Sequence, residues 1–305
     1  MDKSSANDYR RASVGDGEIS RKVFNGIAYA VLAFVAVICV IPFIMIISGS
    51  VSNNKEIMKN GYSLLPQGLT LDAYRLLFIN PKVMLRCYGV SIAVTVAGTL
   101  GGLVVMSMAG YVLQRRDLRY ANGLSFFFYF STLFSCGMVP WYMLISGLGW
   151  NNTLYALILP MMVNSFNILL VRNFMRQLPV ALAESAKIDG AGEIRIFVQI
   201  ITPLSKPILA TIGLFLGLAY WNDWYHASLF IKDVNLWPLQ YKLYQTLTAQ
   251  QAMLTAGVEN FANAVVPTEA VKLANAVVAT GPIVLLYPFL QQYFVQGITI
   301  GAVKG

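Results

Sequence analysis

Residue types that do covalent chemistry are scarce in this 305-residue chain. There is one histidine, His226, and three cysteines, Cys39, Cys87 and Cys136, with no C-x-x-C pair among them. That set supports neither a disulfide framework nor a zinc site, and no catalytic residue or metal ligand is assigned. Two clusters instead have types and spacing suited to non-covalent work. One runs from Leu178 to Pro203 and contains Glu184-Ser185-Ala186-Lys187-Ile188-Asp189-Gly190-Ala191. The other is Tyr220-Trp221-Asn222-Asp223-Trp224-Tyr225, beside His226.

The first cluster reads as a helix–turn–helix. Pro179 suits the first turn of a helix, where its missing N–H costs nothing. Residues 180–189 are good helix formers with an apolar face through Leu182, Ala183 and Ala186. Gly190 takes the left-handed conformation that ends a helix. A second short helix starts at Glu193, an acid at the positive helix end, and Pro203 closes it. The pair is too polar to span a membrane. It suits docking into a groove on another protein, and equally an amphipathic loop lying on the inner leaflet.

The second cluster suits sugar recognition. Aromatic faces stack on sugar rings, Asn and Asp bond hydroxyls, and pockets mix apolar walls with a few polar groups. Asp223 is the only acid well inside a predicted span, where a carboxylate must face a cavity or a partner. The plainer reading is an interfacial aromatic belt, with Asp223 capping or bracing a neighbouring helix. Trp141 and Tyr142 join Tyr220, Trp221, Asn222 and Asp223 as cavity candidates. Asn164 and Asn167 suit either a cavity or hydrogen bonds between helices.

These clusters must be positioned by membrane helices. Hydrophobic residues make up 57% of the chain and charged residues only 12%, with mean hydropathy +0.60. About a quarter charged is usual for a soluble domain, so this chain needs lipid or partners as solvent. The net charge of +8 is strung between apolar runs rather than gathered in a patch, which disfavours nucleic acid. Six runs meet the ~20-residue length of a spanning helix: 25–48, 87–113, 123–145, 153–174, 207–230 and 273–294. None alternates strictly, which disfavours a β-barrel. The first run is longer than a signal-peptide core and reads as an uncleaved span. Residues 1–22 form a polar tail, expected to be loosely ordered, and residues 23–305 the membrane domain. With the N-terminus inside, 14 of the 22 Lys and Arg fall on inner segments, Arg115, Arg116 and Arg119 in one tight turn. The expectation is an all-α integral membrane protein with six spans, both termini cytoplasmic and an inner loop over 178–204. Outer segments 49–86 and 231–272 are expected to hold short helices. Gly98-x-x-x-Gly102 and Gly213-x-x-x-Gly217 suit a close helix seam, although glycine is also simply common in membrane helices.

The inner loop resembles the cytoplasmic motif of ABC importer permeases: Glu-Ala-Ala, three residues, Gly, nine residues, then Ile-x-Leu-Pro. Glu184, Ala186, Gly190, Ile200 and Pro203 match, while Ser185 and Thr202 stand where Ala and Leu are usual. Phe134–Pro140, with Cys136 in place of the usual Gly, is similar to the third span of oligosaccharide permeases. Leu157–Pro160, Tyr220–Trp224 and the Gly301–Gly305 tail also look like the carbohydrate branch, nearest its LplC-like subgroup and similar to the smaller maltose-importer permease.

The resemblance implies a type I importer permease fold in the cell membrane. It implies a second permease subunit of a different sequence, two cytoplasmic ATPase subunits and an outer solute-binding protein. The loop, through Glu184, Ser185, Ala186, Asp189, Gly190 and Ala191, would couple to the ATPase, and transport would proceed by alternating access. The chain carries no G-x-x-x-x-G-K-[ST] loop. It is therefore expected to be a transporter subunit and not an enzyme, binding no cofactor, with ATP and Mg on the partner ATPase. Cargo other than sugar stays open, as does a secondary carrier that needs no ATPase.

Overall fold

The computed structural model describes residues 3–115, 117–255 and 269–284. Every regular element among them is helical. They fall into two units. The first is built on residues up to Leu77 with 269–277, the second on residues from Phe78 onward with 278–284.

The first unit opens with α1, Lys3–Ser50. It continues the first span backwards through the polar stretch expected to be a loose tail, so that stretch is helical backbone. Pro42 lies inside the helix, a substitution membrane helices tolerate. The apolar side chains from Val23 to Ile47 are almost all exposed, as a lipid-facing span requires. Short helices α2 (Asn54–Asn60) and α3 (Asp72–Leu77) follow. The Asn54 side-chain oxygen accepts the backbone N–H groups of Glu269 (2.9 Å) and Ala270 (3.3 Å). Tyr62 donates to Glu269 at 2.8 Å and Lys272 pairs with Glu269 at 2.7 Å.

The second unit is organised by α4, Pro81–Gln114. Its buried positions Cys87, Ser91, Val94, Gly98, Gly102, Met106 and Gly110 recur every three or four residues and form one face. The next expected span is not one rod. Helices α5 (Ala121–Leu133) and α6 (Met138–Gly147) meet at 118° across Phe134–Gly137. Gly137, at φ +80°, takes a left-handed conformation that no helix continues through. The fourth span is also broken, by 41°, between Tyr155–Met162, whose α-helical part is α7 (Tyr155–Ile158), and α8, Ser165–Met175.

Helices α9 (Val180–Ile188), α10 (Glu193–Ile196) and α11 (Thr202–Leu204) lead into α12, Lys206–Trp221. The segment Glu193–Leu204 turns into α12 through 81°. The fifth expected span stops at Trp221, resumes as α13 (Tyr225–Phe230), and is followed by α14, Leu239–Thr255. Arg21–Ser50 and Pro81–Gln114 are each long and apolar enough to cross a membrane, and the three bent pairs bring that number to as many as five. The sixth expected span begins in the 269–284 helix (α15). Its remainder, 285–294, lies outside the described residues, as do Arg116 and the 301–305 tail.

Helix α12 crosses α4 at the glycines singled out in the sequence. A Cβ on Gly98 would collide with the Tyr220 ring. One on Gly102 would sit 3.0 Å from Leu216 and 3.2 Å from the Met162 carbonyl, and one on Gly213 3.3 Å from Leu103. The glycine pairs are therefore a packing seam. Around it lies the apolar core of Met106, Ile168, Val171, Ile196, Ile212 and Leu216.

Candidate functional site

The α9–α10 loop folds as its residues dictate. Pro179 precedes the first helical residue, and Gly190 sits at φ +78°. The Ala191 N–H bonds back to the Ala186 carbonyl at 2.9 Å, and Asp189 N–H to Ser185 at 3.0 Å. That six-to-one closure around a left-handed glycine is a Schellman turn. Ala186 and Ile196 are buried, Ile196 completely, and they root both helices in the core. Glu184, Ser185, Asp189 and Gly190 are exposed, and Ala191 is half-buried. Ile188 and Ile194 are 87% and 81% exposed, so the loop presents large apolar side chains outward. Open space surrounds the Gly190 Cα.

The charges behind the loop form a network that sequence spacing did not reveal. The Glu193 carboxylate accepts from the Tyr111 hydroxyl at 2.8 Å and pairs with Arg115 at 2.7 Å and Lys187 at 2.9 Å. Arg115 also pairs with Asp117. The hydrogen bonds from Lys187 and then Tyr111 hold the Glu193 carboxyl below the usual range, against the opposing effect of burial. Asp117 is lowered to about 2, chiefly by its bond from Arg115, whose own value is raised by the same contact. A cavity of about 290 Å³ opens beside this network, lined by Gln114, Arg176, Pro179, Glu184 and Lys187 among others.

The aromatic cluster is mostly occupied with holding the fold. Tyr220 is buried and donates to the Ile158 carbonyl at 2.6 Å. That carbonyl has lost its helical partner, because Met162 N–H turns to Leu159 where the chain tightens at Pro160. The buried Trp221 indole donates to the Ala279 carbonyl at 2.9 Å. Asp223 makes the capping contact that one of its two readings describes. Its carboxylate accepts the His226 backbone N–H at 3.1 Å and contacts the imidazole at 3.0 Å, capping α13 across the break. His226 stacks on Phe230, and Phe230 on Tyr142, so an aromatic column links α13 to α6. Trp141 packs against Ile145, Ala156 and Phe230. Asn222 is exposed, bonding the Leu218 carbonyl and receiving Gln240. Asn164 caps α8 by accepting the Asn167 N–H at 3.0 Å, and Asn167 is buried.

The described residues are all helical, with apolar helices packed across a glycine seam, broken partway and joined by a rooted helix–turn–helix, an arrangement suited to a membrane transport component. Residues 106–300 match the family described as the binding-protein-dependent transport system inner membrane component, and the chain belongs to that family. It is 43% identical over 284 residues to Protein LplC of Bacillus subtilis, covering 93% of this chain and 96% of that one. It is 38% identical over 287 residues to the polygalacturonan/rhamnogalacturonan transport system permease protein YtcP of the same organism, covering 94% and 100%. Among solved structures it resembles a chain of a bacterial ABC transporter that imports the acidic polysaccharide alginate. The TM-score there is 0.76 at 28% identity, covering 90% of this chain and 98% of that one.

Proposed function

We propose that this chain is one permease half of an ATP-driven importer that carries carbohydrate, most simply an oligosaccharide, across the cell membrane. The observation that carries this reading is the α9–α10 pair: anchored inward at Ala186 and Ile196, it presents Ile188, Ile194 and an open Gly190 outward, within the matched family region. Glu184, Ser185, Ala186, Asp189, Gly190 and Ala191 then form the element that seats in a cleft of a separate ATPase. ATP binding on that partner, with Mg, draws the loops together and turns the cavity outward, and hydrolysis resets it. A second, different permease subunit completes the pore, and an outer binding protein delivers cargo. Six spans with both termini inside place the loop on the ATPase side.

Carbohydrate is favoured because YtcP is a polygalacturonan/rhamnogalacturonan permease and the structural relative belongs to an alginate importer. Of the cavity candidates, Asn222, Tyr142 and Trp141 are proposed to meet sugar, while Tyr220, Trp221 and Asp223 hold the break that positions them. The test is purification of the tagged chain from mild detergent, with ATP hydrolysis assayed on what accompanies it. An ATP-hydrolysing subunit and a second permease are expected. A chain that emerges alone from its native membrane would refute the reading.

A further inference from the structure

A docking loop can transmit force only if it moves with the helices that line the pore. A flexible attachment of residues 178–204 would absorb the displacement. One carboxylate ties this segment to a neighbouring helix. Glu193 stands at the start of α10, and three donors from two other segments converge on it. Oε2 takes the Tyr111 hydroxyl at 2.8 Å and the Arg115 guanidinium at 2.7 Å, both from the C-terminal end of α4. Oε1 takes the Lys187 ammonium of α9 at 2.9 Å. An acid that served only the α10 N-terminus would need none of these.

Beneath the polar junction, the Tyr111 ring packs on Phe197 with centroids 5.2 Å apart, and Ile196 is fully buried. Isolated exposed ion pairs contribute little. Here the charges share one acceptor that is fixed from below by apolar packing, so the geometry is over-determined.

We propose that Glu193 is a positioning residue for energy coupling: its carboxylate locks α9 and α10 to the end of α4, so that the loop and this helix move as one body. The proposal rests on the reading of the α9–α10 loop as the ATPase-docking element.

The test is a distance measurement by pulsed spin resonance in the assembled complex, reconstituted in lipid nanodiscs. Spin labels are placed at Val180→Cys on α9 and Leu100→Cys on α4, both exposed positions outside the docking residues, with Cys39, Cys87 and Cys136 replaced. In the wild-type background one narrow distance is expected, unchanged between the ATP-free state and the state trapped with ATP and vanadate. Glu193→Gln should keep the ATPase bound and hydrolysing, yet broaden the distribution or shift it on trapping. Glu193→Gln combined with Tyr111→Phe should be no broader than Glu193→Gln alone, because both act on one junction. If Glu193→Gln does not accumulate in the membrane, Arg115→Gln carries the same expectation. An unaltered distribution in the variant, or a wild-type spacing that itself changes on trapping, overturns the lock while leaving the docking reading intact. Failure of any ATPase to accompany the unlabelled protein overturns both.

Discussion

The Tyr220 hydroxyl donates to the Ile158 carbonyl at 2.6 Å, across the seam between α12 and the break that follows α7. The bond repairs a backbone defect: the carbonyl is free because the chain tightens at Pro160. Tyr220→Phe preserves the packing against Gly98 and removes only the donor. Leaving a buried acceptor unpaired costs about 1–3 kcal/mol. The variant should therefore unfold earlier in detergent, read from the loss of helix signal on heating. Gly98→Leu should be far worse, since a side chain there meets the Tyr220 ring.

Asp223 separates capping from charge. Asp223→Asn keeps an oxygen for the His226 N–H and should leave stability nearly unchanged, whereas Asp223→Ala should lose about 1 kcal/mol. Thermal unfolding of the two variants checks this. If Asn also retains full transport, the carboxylate charge has no part in cargo handling.

Gly190 separates backbone conformation from surface. At φ +78°, asparagine is tolerated better than other side chains. Gly190→Asn should preserve the turn and much of the ATPase association. Gly190→Trp adds bulk where nothing lies within 4 Å and should abolish association while the chain remains in the membrane. Co-purification of the ATPase with each variant is the measurement, and equal retention would refute the docking role.

The Glu193 network fixes a pH dependence. Its carboxyl lies below the ordinary value of about 4.5 when folded, held there chiefly by the hydrogen bond from Lys187. The ionised form therefore stabilises the loop fully above about pH 4.5, and that contribution disappears as pH falls through the depressed folded value. Amide exchange over 188–196, corrected for intrinsic rates, should be constant from neutral pH to about pH 5 and rise below pH 4.5. Glu193→Gln should be loose throughout and lack this step.

Asn54 offers a parallel test in the first unit. Asn54→Ala removes the acceptor for the Glu269 and Ala270 N–H groups and should cost about 1 kcal/mol. Faster amide exchange at Glu269 and Ala270 would register it.

Sequence revealed what is local. Gly190 and Pro179 dictate the loop through backbone dihedrals, whereas the Gly98 and Gly213 pairs suited a seam by spacing and needed their contacts with Tyr220 and Leu103 to establish it. Hydropathy located apolar runs but carries no direction, so a 118° turn within one run passed as a straight span. Glu193 read as a helix-start acid because its Tyr111 partner lies 82 positions away. Asp223 had both readings open, and the cap needed the position of His226 to be seen.

The turn at Phe134–Gly137 has a consequence for where lipid cannot be. The α5 and α6 ladders both stop there, and the exposed Phe134–Gly137 segment retains amides and carbonyls outside any helix. Hydrocarbon offers such groups no partner, and each would forfeit several kcal/mol in it. Within a span, this stretch must therefore meet water or another chain, so Ser135 and Cys136 mark a face that lipid does not cover.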